Sequence, residues 1–281
     1  MGAQIAMLGA LAGIETRLHD ISAEQLAKAV DTNRKHVRRR VDKGQLSEAD
    51  FDAAMARLST TTELEQAATG VDFVIEAVVE RLEVKRQVFA VLDRAAPTHA
   101  ILATNSSYLM SSEIASATSR PDRVCNMHFF FPPLVMKLVE VVKGEATSET
   151  TLETTMELAR RMGKHPVLLR REMPGFLVNR ILRAITNEAY FLLENGVASF
   201  ADIDAACRMG LNHPMGPFEL SDYSGLDIGY NARLEIYERT GAESDRPAAS
   251  LERRVKRGDL GRKTGRGFYD YSTDPPTPSA D

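Results

Sequence analysis

Residues 1–20 pass from helix to glycine to strand to a terminal acid, and few folds use that order. The run from Met1 to Ala12 is small and apolar on one face and is closed by Gly13. Ile14 to His19 then alternates like a strand and ends on Asp20. Helix, glycine, strand and acid form the second half of a βαβ unit that binds a dinucleotide. In such a unit a strand and a glycine-rich turn come before the helix. Gly2 stands where the last glycine of that turn belongs, at the close approach of helix and sheet. Asp20 lies about 20 residues on, where a carboxylate accepts hydrogen bonds from the adenosine ribose. Its charge also repels a 2′-phosphate, so NAD is expected rather than NADP. The strand and first glycines of the unit are missing from the sequence. That strand belongs in the middle of a doubly wound sheet, so two half-sheets with unpaired edges are expected, and the true start is expected upstream of Met1.

Two helices follow, from Glu24 to about Asp42 and from a cap at Ser47 to about Arg57. The first carries Arg34, Lys35, Arg38, Arg39 and Arg40, and Lys43 follows it. This cluster suits a polyphosphate, although a solvated basic face would read the same. Strands are expected at Leu58–Thr61, Asp72–Val78, Ala100–Thr104 and His165–Leu169, with helices at Leu82–Arg94, near Ser112–Thr118, and at Ser148–Met162. Beyond Pro174 the pattern is helix after helix: Phe176 to Glu194, Phe200 to Met209, Pro217 to Arg239, and Leu251 to Lys256. The expected organisation is a nucleotide-binding α/β domain over residues 1–172, with a helical hairpin near 24–57. An all-α domain over 173–272 and a disordered tail over 273–281 complete it.

Composition narrows the function classes. The 281 residues are 43% hydrophobic and 26% charged, as in soluble globular proteins. A net charge of −4 gives no global basic field, so no nucleic-acid partner is expected. The two cysteines, Cys125 and Cys207, offer no disulfide framework and no metal spacing. With no apolar run of about 18 residues and no secretory pattern, a cytoplasmic protein without membrane partners is expected.

The chemistry centres on residues 125–142. His128 lies in an apolar strand-like run, and Glu140 lies in the next β-branched run past a proline-broken turn. Two adjacent strands would bring the carboxylate to one ring nitrogen and leave the other to move a proton. Taken alone, a histidine near a glutamate is more often a packed pair. At the end of Ala100–Thr104 stand Asn105, Ser106 and Ser107, small polar residues where α/β sheets bind ligands.

Seven strings together resemble the L-3-hydroxyacyl-CoA dehydrogenase family, including its bacterial 3-hydroxybutyryl-CoA members. They are Ala77-Val78-Val79-Glu80, Thr104-Asn105-Ser106-Ser107, Met127-His128-Phe129-Phe130, Met136 through Val142, Pro174 through Arg180, Pro214 through Leu220, and Lys263 through Tyr269. They stand in the family's order from Met1 to about Tyr271. The resemblance implies a Rossmann-type NAD-binding domain followed by an all-helical substrate and dimerisation domain. It implies NAD-dependent oxidation of a short-chain (S)-3-hydroxyacyl-CoA, or the reverse reduction, in fatty-acid metabolism. His128 would be the acid/base on the C3 oxygen and Glu140 its orienting partner. Ser107 and Asn179 would bind the substrate oxygens. Gly2, Asp20, Ala77, Glu80, Lys85 and Asn105 would line the NAD site, and Arg40 or Lys43 would meet the coenzyme A phosphates. A homodimer through the second domain is implied as well.

Three positions depart from the family pattern. Phe131 replaces an asparagine and is expected to reshape the pocket beside His128. Ser106 replaces a threonine, and Tyr108 replaces a serine and would narrow the acyl channel. Two other readings compete. One is a dehydrogenase of a free hydroxy acid, as in the lambda-crystallin-like branch. The other is a non-catalytic acyl-CoA-binding relative.

Overall fold

The computed structural model describes residues 1–279, and the chain divides into Met1–Leu177 and Val178–Asp281. The first unit runs α1 (Gly2–Leu11), β1 (Thr16–His19), α2 (Ala23–Asp42), α3 (Glu48–Arg57), β2 (Leu58–Thr61), α4 (Leu64–Ala68) and β3 (Phe73–Glu76). It continues with α5 (Leu82–Ala95), β4 (Ile101–Thr104), α6 (Ser111–Ala115), β5 (Val124–Phe129), β6 (Leu138–Val142), α7 (Glu149–Arg161) and β7 (His165–Leu169). Serines start three of these helices in the same way: Ser22, Ser47 and Ser148 accept the backbone N–H of Gln25, Asp50 and Thr151 at 3.1–3.2 Å.

The strands form two sheets. β1 and β2 pair in parallel as one ribbon, and β3-β4-β5-β6-β7 form the other sheet. In the larger sheet only the β5–β6 pair is antiparallel. Helices cover both faces, so strand residues alternate between two cores. Ile101, Ala103, Cys125, Met127 and Phe129 pack with α1 and α7, through Ile5, Leu8, Leu152 and Ala159. Leu102 and Val124 pack on the opposite face with Phe89, Leu92 and Ile114 of α5 and α6. The helical hairpin docks on α1 through Val37, Phe51 and Ala54, and the buried Asn33 amide donates to Ala3 O at 2.7 Å.

The second unit holds α8 (Val178–Glu194), α9 (Phe200–Gly210), α10 (Pro217–Ser224), α11 (Leu226–Thr240) and α12 (Ala249–Arg257), then strands β8 (Tyr269–Asp270) and β9 (Thr277–Pro278). Its core gathers Tyr190, Ile203, Phe218, Leu226, Leu251 and Phe268. The single helix expected from Pro217 to Arg239 is two, because Gly225 takes φ +100, outside the helical range. The expected disorder of the tail is corrected over residues 273–279. Thr277 and Pro278 pair with Asp270 and Tyr269, and buried Ser279 donates from its backbone N–H and hydroxyl to Phe268 O and Gly267 O. Ala280 and Asp281 lie outside the described residues. No helix among the described residues is long and apolar enough to cross a membrane.

Candidate active site

Antiparallel pairing puts His128 directly opposite Glu140 in the β5–β6 register. Side chains of directly paired residues share a face, so the two meet: His128 Nδ1 lies 2.8 Å from Glu140 Oε2. Both are buried, at 4% and 1% exposure. The other Glu140 oxygen accepts the Leu177 N–H at 3.1 Å. Two rings flank the imidazole, Phe130 at 4.7 Å and Phe176 at 5.5 Å between centroids. Phe176 is buried with φ +49, a conformation uncommon for a residue with a side chain. A carboxylate on Nδ1 fixes the proton there and leaves Nε2 as the working nitrogen. Ser107 Oγ stands 3.1 Å from that Nε2.

Ser107 comes from the loop after β4. The Asn105 side chain accepts the Phe129 N–H at 2.9 Å, so the ends of β4 and β5 are tied together. Asn126 closes the loop's far end, donating to Leu109 O at 3.1 Å and accepting the Ser111 N–H at 2.9 Å. Glu80 holds the middle. Its Oε1 accepts the N–H groups of Ser107 and Tyr108, both at 3.0 Å, and the Ser106 hydroxyl. Burial raises the Glu80 carboxyl pKa, but the Ser106 hydroxyl, Lys85 and the loop N–H groups outweigh it and hold the group below the usual glutamate value.

Lys85, expected to line the cofactor, is turned inward with 1% of its side chain exposed. Its ammonium lies 2.8 and 3.1 Å from the Glu76 oxygens and 3.4 Å from Glu80 Oε2. Glu76 also accepts the Thr104 hydroxyl at 2.7 Å and the Val78 N–H at 2.6 Å. Glu76, Ser106 and the Leu177 N–H were not among the expected site groups. An acid closing the otherwise apolar strand Phe73–Glu76 was a legible signal for the first of them.

The remaining expected residues of this unit fall in two places. Gly2 begins α1, and a Cβ built on it would stand 3.5 Å from Ala77 Cβ, so the helix start meets the carboxyl end of β3. Asp20 follows β1 and accepts the Ser22 N–H through Oδ1 at 2.9 Å. No side chain caps α1 and no acid sits in its first turn. Its opening N–H groups and positive helix end therefore suit a pyrophosphate, and Asp20 suits a ribose. A dinucleotide fits this donor and acceptor set. Arg40 and Lys43 lie at the other end of α2. Within the basic cluster, Arg38 is tied to Glu48 at 2.5 and 2.6 Å, and Lys35 pairs with Asp31 at 2.7 Å.

Phe131 corrects an expectation. The residue is 73% exposed, and the rings set against the imidazole are those of Phe130 and Phe176. Asn179 belongs to α8 in the second unit. Among the described residues, no group of three or more histidine, cysteine and acidic side chains could hold a metal ion.

Comparison with known proteins agrees with this geometry. Residues 1–173 match the profile of the 3-hydroxyacyl-CoA dehydrogenase NAD binding domain, and residues 175–271 match that of the C-terminal domain. The chain is 42% identical over 271 residues to a probable 3-hydroxybutyryl-CoA dehydrogenase of Bacillus subtilis, covering 96% of this chain and 94% of the relative. It is 39% identical over 278 residues to the human mitochondrial hydroxyacyl-coenzyme A dehydrogenase, covering 96% and 88%. Among solved structures, the (S)-3-hydroxybutyryl-CoA dehydrogenase of Ralstonia eutropha superposes with a TM-score of 0.89 at 38% identity, over 97% of this chain and 96% of that one. Both family domains match in sequence order, and the likeness runs nearly the full length of each relative: the chain belongs to the 3-hydroxyacyl-CoA dehydrogenase family.

Proposed function

We propose that the protein catalyses NAD-dependent interconversion of (S)-3-hydroxyacyl-CoA and 3-ketoacyl-CoA in fatty-acid metabolism, with short acyl chains as substrates. The observation that carries the reading is the Glu140–His128–Ser107 line, its glutamate and histidine buried, with contacts of 2.8 and 3.1 Å. When bound, NAD supplies the hydride acceptor. In the oxidative direction the hydride leaves C3 with its electron pair, and His128 Nε2 takes the hydroxyl proton. Positive charge then develops on a buried ring, and anionic Glu140 stabilises it where an unpaired cation would cost several kcal/mol. In reduction the imidazolium returns the proton to the C3 oxygen.

Ser107 and Asn179 hydrogen-bond the substrate oxygens. Gly2, Asp20, Ala77 and Asn105 line the NAD site, with Glu80 and Lys85 at its border. Arg40 and Lys43 meet the coenzyme A phosphates. Exposed apolar side chains in the second unit, among them Ile181, Phe191, Met209 and Ile228, support a homodimer through that unit. Bacterial relatives and the paucity of cysteine support a cytoplasmic location.

The test is oxidation of NADH with acetoacetyl-CoA. His128→Ala is expected to lower kcat by about 10²- to 10⁴-fold with the fold intact. Glu140→Gln is expected to lower kcat far more than it weakens NADH binding. An unchanged kcat in either variant would remove that residue from the mechanism. Neutralising Arg40 and Lys43 is expected to raise KM for the acyl-CoA. An unchanged KM, with turnover of a free hydroxy acid, would favour the free-acid dehydrogenase instead.

A further inference from the structure

The loop that carries Ser107 is held by a carboxylate with no part in the proton transfer. Three backbone N–H groups in a row, from Ser107, Tyr108 and Leu109, converge on Glu80 Oε1 at 3.0, 3.0 and 3.4 Å. The Ser106 hydroxyl donates to the same oxygen and itself accepts the Leu109 N–H at 2.8 Å. The second Glu80 oxygen faces the Lys85 ammonium at 3.4 Å. Lys85 has little freedom to move, because it is 1% exposed and clamped by both oxygens of Glu76. Glu76 is fixed in turn by Thr104, the last residue of β4.

We infer that Glu80, backed by Lys85, is a positioning residue that sets the Ser107 hydroxyl against His128 Nε2. The inference rests on the dehydrogenase reading above and deepens it, since the resemblance alone gives Glu80 only a place beside the cofactor. The charge arrangement supports this role. Two carboxylates share one ammonium, so one negative charge is left over, and it is balanced by the N–H dipoles of the loop. The loop therefore depends on Glu80 being ionised. A neutral amide at this position cannot meet both demands. With its oxygen toward the loop, its NH2 faces the Lys85 ammonium, donor against donor. With its NH2 toward the loop, it opposes three N–H groups.

Glu80→Gln is expected to lower kcat for acetoacetyl-CoA reduction about tenfold or more, the scale of a lost charge-assisted hydrogen bond, while the Kd for NADH barely moves. In a Ser107→Ala background the same substitution is expected to cost no more than about twofold further, because Glu80 acts through Ser107. Independently of activity, the Ser107 and Tyr108 amides are expected to exchange hydrogen faster in Glu80→Gln, with β4 and β5 unchanged. Multiplicative losses in the double variant, or a loss confined to NADH binding, would overturn the inference. Unchanged exchange at Ser107 and Tyr108 would also overturn it. If the unsubstituted protein fails to turn over acetoacetyl-CoA, the dehydrogenase reading falls, and the exchange measurement still decides whether Glu80 holds the loop.

Discussion

Phe176 is the residue whose backbone conflicts most visibly with its side chain. At φ +49 the Cβ crowds the backbone, at roughly 1–2 kcal/mol relative to glycine. Two features offset that strain. The ring is 2% exposed and stacks at a tilt on His128, and the turn aims the next N–H at Glu140 Oε1. The two contributions can be separated by substitution. Phe176→Ala removes the ring and keeps the strain, at about 3–5 kcal/mol for a buried phenylalanine. Phe176→Gly removes both, so it is expected to be the more stable variant by about 1 kcal/mol. Urea unfolding of the pair measures the difference, and an alanine variant as stable as the glycine one would show that the conformation is unstrained. Of this centre, the His128–Glu140 meeting was legible, because two β-branched runs around a proline turn imply neighbouring strands. The Leu177 contact was not, since a backbone N–H leaves no mark in the sequence.

At the scale of elements, the divided sheet sets what is firm. β4 and β5 have strand partners on both sides and helices on both faces, and every residue in them is buried. β1 and β2 have only each other, over four residues, and of their eight residues only Leu18 is buried. Two-stranded pairs are marginal without a broad apolar face. Amides of β4 and β5 are expected to report the slowest exchange in the first unit, and those of β1 and β2 to open at lower free energy. Equal protection across the two sheets would contradict this. The separation itself was expected from the opening run of helix, glycine, strand and acid. The break between α10 and α11 was hidden, since one glycine inside an otherwise helical pattern is compatible with a continuous helix. The β8–β9 pairing was hidden by composition: a Pro- and Ser-rich tail reads as disorder until a neighbouring edge supplies its hydrogen bonds.

Across the whole molecule, two acids in each unit are held in opposite ways. In the first, Glu80 sits among loop N–H groups beside Lys85, and Asp93 accepts the Ser119 N–H and pairs with Arg120 at 2.8 Å. Burial pushes both pKa values up, but these partners outweigh it and both end below their usual values. In the second, Asp204 accepts the N–H groups of Phe218 and Glu219, and Asp222 accepts those of Phe268 and Tyr269, all at 2.9 Å. Tyrosine hydroxyls complete each site, yet burial prevails and both are raised above 3.8. The linkage signs are therefore opposite. Glu80 and Asp93 contribute stability that is present above their unfolded values and lost as pH falls through their lowered ones. Asp204 and Asp222 contribute stability that is full below their unfolded values and lost as pH rises through their raised ones. Acidification from neutrality thus reaches the raised pair first and relieves the second unit before it weakens the first. The lowered acids of the second unit, Asp227, Glu252 and Asp270, are partly exposed and count for less. Hydrogen exchange corrected for intrinsic rate is expected to show the Phe218, Phe268 and Tyr269 amides keeping or gaining protection between neutral pH and about pH 4. The Ser107 and Tyr108 amides lose protection only toward the acid end of that range. Asp222→Ala removes the acceptor for two buried N–H groups, so it is expected to cost about 3 kcal/mol or more at neutral pH and to reduce the acid-side gain. If the second unit's core amides are instead the first to lose protection on acidification, burial does not dominate at Asp204 and Asp222.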